Sequence, residues 1–275
     1  MENSINTNVG AYIALQNLTT TSMELRTTQG RISTGRKVDT AVDNGSTWAI
    51  AQNLRGQSTS LNAVRNSLDR AQSTVDVALS AGGNVSDLLI QMKEKVLAAS
   101  DQSLDSTSRS ALAEDFKVLR EAIKKTVANA DFVGTNMLKT GGINVRAIAN
   151  VDGNSVITVV AQSLAIGGPN VTFSVNSTIA TSTLASSVLT KLNTSISNVN
   201  TKLGIMGAQS KAIGLHLTFV RKLQDSLDGG VGNLVDADMA KESAKLQSLQ
   251  TKQQLGIQAV SSANHSTSSI LSLFR

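Results

Sequence analysis

The chain has 275 residues and a formal charge of +5, yet only 3% of its residues are aromatic and 16% are charged. One Pro, one Trp and one Tyr stand against 34 Ser and 26 Thr, so few large side chains are available for a wide core, while a 40% hydrophobic content is too high for disorder by charge repulsion. Zero Cys excludes disulfide scaffolds, thiolate metal sites and cysteine nucleophiles, and leaves thin, elongated packing of small aliphatic residues as the expected architecture.

The first element is an amphipathic helix with a stripe at Ala11, Leu15, Leu18, Ser22, Leu25, Gln29 and Ile32. Its apolar run Ala11 to Leu15 is far shorter than a membrane span, and the opening Met1-Glu2-Asn3-Ser4 has neither a basic region nor an apolar core, so no cleaved signal and no membrane insertion are expected. From Leu54, steps alternating between three and four residues meet Gln57, Leu61, Val64, Leu68, Ala71, Val75, Ala78, Gly82, Val85, Leu89, Met92 and Val96. Such a strict seam predicts a coiled-coil-like helix in contact with a neighbour along its length, about 65 Å at 1.5 Å per residue. Gly82-Gly83 is the point at which that helix is expected to bend or break. A loop from Asp101 to Ser110 leads to a third helix with Leu112, Phe116, Leu119 and Ile123 on one face.

Residues 141 to 178 lose the helical period. Val145, Ile148 and Val151, then Val156, Ile157, Val159 and Val160, flank Asp152-Gly153-Asn154, which is a hairpin signal. A turn from Gly167 to Asn170 leads into Val171, Phe173 and Val175, read as a third strand. The second long seam then runs through Leu189, Leu192, Ile196, Val199, Leu203, Met206, Ser210, Ile213, Leu217, Val220, Gln224, Leu227, Val231 and Leu234, with Gly229-Gly230-Val231-Gly232 read as a helix terminator. Two seams of similar length predict an antiparallel pair, three-stranded where the third helix joins. The last segment carries Met239, Leu246, Leu249, Val260, Ala263, Ile270 and Phe274, a stripe too thin to be stable alone, as at the other end. The expected class is therefore mainly α: a long antiparallel coiled-coil-like helical rod (45–140 with 179–235), a terminal helix pair (1–44 with 236–275) and a small inserted β-hairpin region (141–178).

Chemistry is sparse. His216 and His265 lie in no metal-binding spacing and read as structural or polar surface residues, and the many serines have no nucleophile elbow, so neither catalysis nor a cofactor is expected. The basic residues are scattered among acids along the chain without stacking aromatics, which favours solvated helix faces over nucleic-acid binding.

Several segments together resemble bacterial flagellin over essentially the whole chain. Arg31-Ile32-Ser33-Thr34-Gly35-Arg36-Lys37-Val38-Asp39-Thr40-Ala41-Val42-Asp43-Asn44 matches the family's motif where its terminal helix meets its rod. Ser4 to Asn8 matches the opening helix, Leu54 to Leu79 the first rod helix, Asp131 to Leu138 the "F-N-G-x-x-L-L" stretch, and Gln253 to Gly256 with Ile270 to Arg275 the terminal pattern. Asn44-Gly45-Ser46-Thr47 and Trp48 depart from the usual Asp-Ala-Ala-Gly, and the short middle implies that large outer domains are absent. The resemblance implies a structural subunit that self-assembles into the hollow helical filament used for swimming, secreted by type III flagellar export to an extracellular flagellum, with an export chaperone, filament cap and hook-associated proteins as partners.

It also assigns positions. Ile5, Val9, Leu15, Leu18, Leu25, Ile32, Leu246, Leu249, Val260, Ile270, Leu273 and Phe274 are the candidate subunit interface, and Arg31, Gly35, Asp43 and Asn44 the junction of core and rod. Between Gly153 and Lys191 there is no charge but many hydroxyls, which makes Thr172, Ser174, Ser177, Thr178, Thr181, Ser182 and Thr183 candidates for O-linked glycans, the alternative being that they satisfy strand edges and a helix N-terminus. A flagellin-like hook-filament junction protein would share both ends, and a basic coiled-coil nucleic-acid binder is the reading from a different class.

Overall fold

The structure, a computed structural model, describes residues 7–272, with side chains through 265. Five helices carry the chain: α1 Val9–Thr34, α2 Gly45–Ala99, α3 Ser106–Asn129, α4 Ser182–Val235 and α5 Met239–Ser272. Between α3 and α4 lie β1 Asp131–Phe132, β2 Thr135–Asn136, β3 Val145–Ile148 and β4 Val156–Val159. Each helix starts at a side chain that accepts one of its orphan amides: Asn8 from Ala11, Asn44 from Thr47, Asp105 from Ser108, Thr181 from Leu184 and Asp238 from Ala240 and Lys241. The starts of these long helices are thus fixed locally, by side chains of the types that also favour caps.

Two compact units divide the chain, Thr59–Asp225 and the combined termini Met1–Ser58 with Ser226–Arg275. In the first, α2 and α4 run antiparallel. Leu61, Val64, Leu68, Ala71, Val75, Ala78, Val85, Leu89, Met92 and Val96 of α2 are buried, and so are Leu192, Val199, Met206, Ile213, Leu217 and Val220 of α4, which is the alternating seam expected from the sequence. Gln72 Nε2 donates to Ser210 Oγ at 2.6 Å, Ser86 Oγ to Asn200 Oδ1 at 2.8 Å, and Arg65 Nη1 to Gln224 Oε1 at 3.1 Å, which sets the register. α3 lies on α2 through Lys95 and Asp115, 3.4 Å apart, and through Arg109, whose guanidinium donates to the carbonyls of Ala99 and Asp101.

Three expectations are corrected here. Gly82-Gly83 does not break α2, and Gly82 makes room for α4: a Cβ there would collide with Leu203 Cδ2 and lie 3.5 Å from Leu164 Cδ1. The glycine run 229–232 does not end α4, which continues to Val235 because Val231 and Val235 pack against Val38 and Ala51. Val171, Phe173 and Val175 form no strand. The Thr172 amide donates to Ser195 Oγ of α4 at 2.9 Å, a helix hydroxyl taking the place of a partner strand, while Val171 and Phe173 are buried and Phe173 meets Phe116 of α3 with ring centroids 6.2 Å apart.

The hairpin β3–β4 is antiparallel with Val145 opposite Val159, and Gly153 takes the left-handed conformation at its turn, φ 71°. It rests on both long helices: the Ile148 amide donates to Ser67 Oγ of α2, and His216 Nε2 of α4 lies 2.7 Å from the Ala149 carbonyl. His216 is thus structural, as the sequence suggests. A second hairpin, β1–β2, was not expected; its strands of two residues are too short to show a period. Buried Asn136 holds it to α3, donating to the Val127 carbonyl at 2.8 Å and accepting from the Leu138 and Lys139 amides.

In the unit of the termini, α1 packs along α5, and Val38, Ala51, Val231 and Val235 form a small core under Trp48, Leu54 and Leu234.

Candidate assembly interface

The inner face of α1 follows the stripe read from the sequence at Leu25, which is buried, and at Ala11, Leu18, Ser22 and Ile32, which are half-buried, but Leu15 and Gln29 of that stripe are exposed and Thr28, outside it, is buried. On α5, Leu249 is buried and Leu246, Gln253, Gly256, Val260 and Ala263 are half-buried. At Gly256 the two helices lie close together, since a Cβ there would stand 3.2 Å from Leu18 Cδ1. Asn8 both caps α1 and donates through Nδ2 to the Ala263 carbonyl at 2.8 Å, so one side chain starts one helix and fastens it to the other. Asn is a residue type that favours such caps; the reach across to α5 has no signal in the sequence. Among the expected interface positions, Val9 and Leu15 face outward, more than half exposed. Ile5, Leu273 and Phe274 lie outside the described residues, as does the side chain of Ile270.

The outward surface of the pair is also apolar. Tyr12, Ile13 and Met23 of α1 and Leu255 and Ile257 of α5 join Val9 and Leu15 in exposure. In α1, steps of three and four residues carry Val9 to Tyr12 and Ile13 on the side away from Leu18 and Leu25, so the helix is apolar on two faces and its intramolecular partner covers one. These seven large apolar side chains of the helix pair are each more than half exposed.

The junction residues are brought together. Gly35 ends α1 in the left-handed conformation, φ 69°, and its carbonyl accepts from Ala237, while the Lys37 and Val38 amides donate to the Val235 carbonyl and the Arg36 backbone lies antiparallel to that of Asp236 in a single-residue β-bridge. Arg31 reaches Glu242 Oε1 at 3.3 Å; Glu242 is buried and its other oxygen accepts no hydrogen bond. Asp43 folds the loop back by accepting from the amides of Asp39 and Thr40 and from the Thr40 hydroxyl. The Thr40 amide, then the Asp39 amide and the Thr40 hydroxyl, hold its carboxyl below the usual carboxylate range. Arg31, Lys37, Lys241 and Lys245 with Asp43, Asp236, Asp238 and Glu242 line a cleft of about 700 Å³. Glu242 gave no signal in the sequence, since neither spacing nor residue type marks it as the partner of Arg31.

Of the hydroxyl candidates, Ser174, Thr178, Thr181 and Thr183 are exposed and Thr172, Ser177 and Ser182 half-buried. Thr172 Oγ1 donates to the Lys191 carbonyl and Thr181 Oγ1 caps α4. Among the described residues no group of three or more His, Cys, Asp and Glu side chains is placed to hold a metal, and no helix is long and apolar enough to cross a membrane.

Residues 5–141 match the bacterial flagellin N-terminal helical region and residues 187–274 the bacterial flagellin C-terminal helical region. The chain is 54% identical to flagellin FljM of Caulobacter vibrioides over 273 residues, 99% of each chain, and 36% identical to a flagellin of Brucella melitensis over 281 residues, again 99% of each. A crystal structure of Bacillus cereus flagellin shares the fold, with a TM-score of 0.51 and 18% identity over 56% of this chain and 88% of that one. Terminal helices joined through Gly35 and Asp236, an antiparallel α2–α4 seam and full-length likeness to these proteins agree: the chain belongs to the bacterial flagellins.

Proposed function

We infer how this chain, a structural subunit of the bacterial flagellar filament, joins its polymer: the outward apolar row of α1, with the exposed Leu255 and Ile257 of α5, is surface that neighbouring subunits cover. The observation that carries the reading is the exposure of Val9, Tyr12, Ile13, Leu15, Met23, Leu255 and Ile257 on helices whose opposite faces already pair. A helical polymer supplies each subunit with neighbours on both sides without closure, which suits a contact that is not self-complementary. In this reading residues 1–44 with 236–275 build the inner core, 45–140 with 179–235 the rod, and 141–178 its outward insertion. The chain works without catalysis or a cofactor, is exported unfolded through the flagellar type III apparatus, and meets an export chaperone, the filament cap and hook-associated proteins on its way. The exposed hydroxyls Thr178 and Thr183, with half-buried Ser177 and Ser182, are the candidates for O-linked glycans, whereas the hydroxyls of Thr172, Ser174 and Thr181 already bond the backbone. Scattered charge and the absence of interleaved aromatics support no role in binding nucleic acid.

The test is seeded growth. Ile13→Ser with Ile257→Ser should leave the circular dichroism of the monomer unchanged, because both side chains already lie in water, and should abolish extension of filament seeds by the purified chain. Growth at the unmodified critical concentration would refute the assignment of this surface.

A further inference from the structure

Where the two hairpins rest on α2, in the unit Thr59–Asp225, they leave a cavity of about 300 Å³. α2 from Ser67 to Thr74 is its floor, and the β1–β2 hairpin with residues 143–146 its walls. The lining holds two arginines, Arg70 and Arg146, and no carboxylate. Both arginines are exposed, and neither guanidinium has a hydrogen bond or an ion pair among the described residues. The junction cleft is the contrast, since there Arg31, Lys37, Lys241 and Lys245 face four acids. A concave site lined by charge of one sign concentrates counter-ions; one of balanced charge does not.

The hydrogen bonds already made around the cavity define what it still offers. Ser67 Oγ accepts from the Ile148 amide, and Thr74 Oγ1 donates to the Arg70 carbonyl. Asn144 Oδ1 accepts from the Ala161 amide at 2.9 Å, which leaves its Nδ2 to donate. The two guanidiniums and this amide are donors, so they ask for a ligand that brings acceptors and negative charge. Beside them stand apolar walls: Phe132 is half-buried, Ile143 is 54% exposed, and Val133, held at positive φ, is 82% exposed. Backbone strain that burial does not offset is found most often at ligand sites. A bare inorganic anion would leave these side chains in water, whereas a ring bearing a carboxylate and hydroxyls uses both the donors and the walls.

We propose that this cavity binds a carboxylated sugar. Arg70 and Arg146 take the carboxylate, Asn144 Nδ2 and the Thr135 hydroxyl take ring hydroxyls, and the C–H face of the ring lies on Phe132 and Val133. A guanidinium presents parallel N–H groups that match the two oxygens of a carboxylate, which makes arginine rather than lysine the fitting residue at both positions. The site is complete within one molecule. It needs no polymer, so it stands or falls separately from the filament reading above.

The experiment follows the arginine Nε–H resonances of the full-length monomer, isotope-labelled in arginine, as glucuronate is added. The signals of Arg70 and Arg146 should shift saturably and together, giving one Kd. Arg70→Ala and Arg146→Ala should each weaken binding about tenfold, the worth of one charge-assisted interaction, with circular dichroism unchanged because both side chains lie in water. Arg221→Ala, which removes an exposed arginine outside the cavity, should leave the Kd as it is. Glucose, the ring without the carboxylate, and inorganic phosphate, the charge without the ring, should each bind at least about tenfold more weakly. Absence of a saturable shift with glucuronate overturns the proposal. Phosphate binding as tightly as glucuronate reduces the cavity to a plain anion site and overturns the sugar, and an Arg221→Ala effect equal to that of Arg70→Ala assigns binding to net charge and overturns the cavity. Failure of the chain to extend filament seeds would refute the filament reading and leave this result untouched.

Discussion

Val133 is a β-branched residue held at φ 51° in the turn of β1–β2, the one non-glycine residue with positive φ among those described. The left-handed region costs an L-residue roughly 1–2 kcal/mol, more when the side chain branches at Cβ. Val133 is 82% exposed, so it recovers little of this through burial. The next residue, Gly134, also has positive φ, 77°, and its amide donates to Asp131 Oδ1, giving the left-handed pair that a two-residue hairpin turn demands and that Asn-Gly fills at least cost. Val133→Asn should therefore stabilise the monomer by about 1 kcal/mol, a rise in Tm of roughly 2–4 °C for a unit of this size. Thermal unfolding followed by circular dichroism measures it, with Val133→Thr as the comparison because Thr keeps the branch and loses the apolar surface. Thr should give almost none of the gain. A Tm for Val133→Asn at or below that of the unmodified chain would refute the strain argument, and an equal gain from Thr would assign the effect to surface polarity.

Three further outcomes follow from the terminal unit and its junction. Arg31→Ala leaves the buried Glu242 carboxylate without its cation and should lower stability by about 1–3 kcal/mol, with Glu242→Gln costing less, both read from thermal melts. Asn8→Ala removes the cap of α1 and the tie to Ala263 together, and should cost about 1–2 kcal/mol, read as faster amide exchange in the first turn of α1. Asp43 is held below the ordinary carboxylate range, so its contribution is complete above that range and disappears as pH falls through its lowered value; proteolysis of the 39–43 loop should rise below about pH 4 and should already be raised at neutral pH in Asp43→Asn.

The long seams were legible because each is a single buried stripe whose period differs from that of a strand. What escaped was every feature that needs two faces of one helix. Tyr12, Ile13 and Met23 on α1, and Leu215, Phe219 and Leu223 on α4, are apolar residues off the strongest stripe, and a search for the best single period treats them as noise. Glycines were misread for a related reason. Gly82 looks like an interruption in a row of apolar side chains, yet Leu203 sits against it, as Leu18 does against Gly256. A glycine's local propensity says break; its missing Cβ says close approach, and only the partner helix decides between them. The junction was legible through its motif, but Glu242 as the partner of Arg31 depends on the path of α5, which no local pattern contains.

The polar interruptions of the α2–α4 seam follow the same logic. A seam of Val, Ala and Leu repeats closely every seven residues, so a shift of one helix past the other by a heptad would bury nearly equivalent side chains and change the energy little. Gln72, with Asp76, meets Ser210; Ser86 meets Asn200; Arg65 meets Gln224. A heptad shift would bring Leu203 or Leu217 to Gln72 and Leu217 or Val231 to Arg65, and would leave a half-buried donor or acceptor unsatisfied at each, at roughly 1–3 kcal/mol apiece. Gly82 opposes the same shift sterically, because Leu203 sits where a Cβ at that position would be. The small aliphatic residues therefore hold the two helices together, while the hydrogen-bonded side chains and one glycine determine which residues face each other.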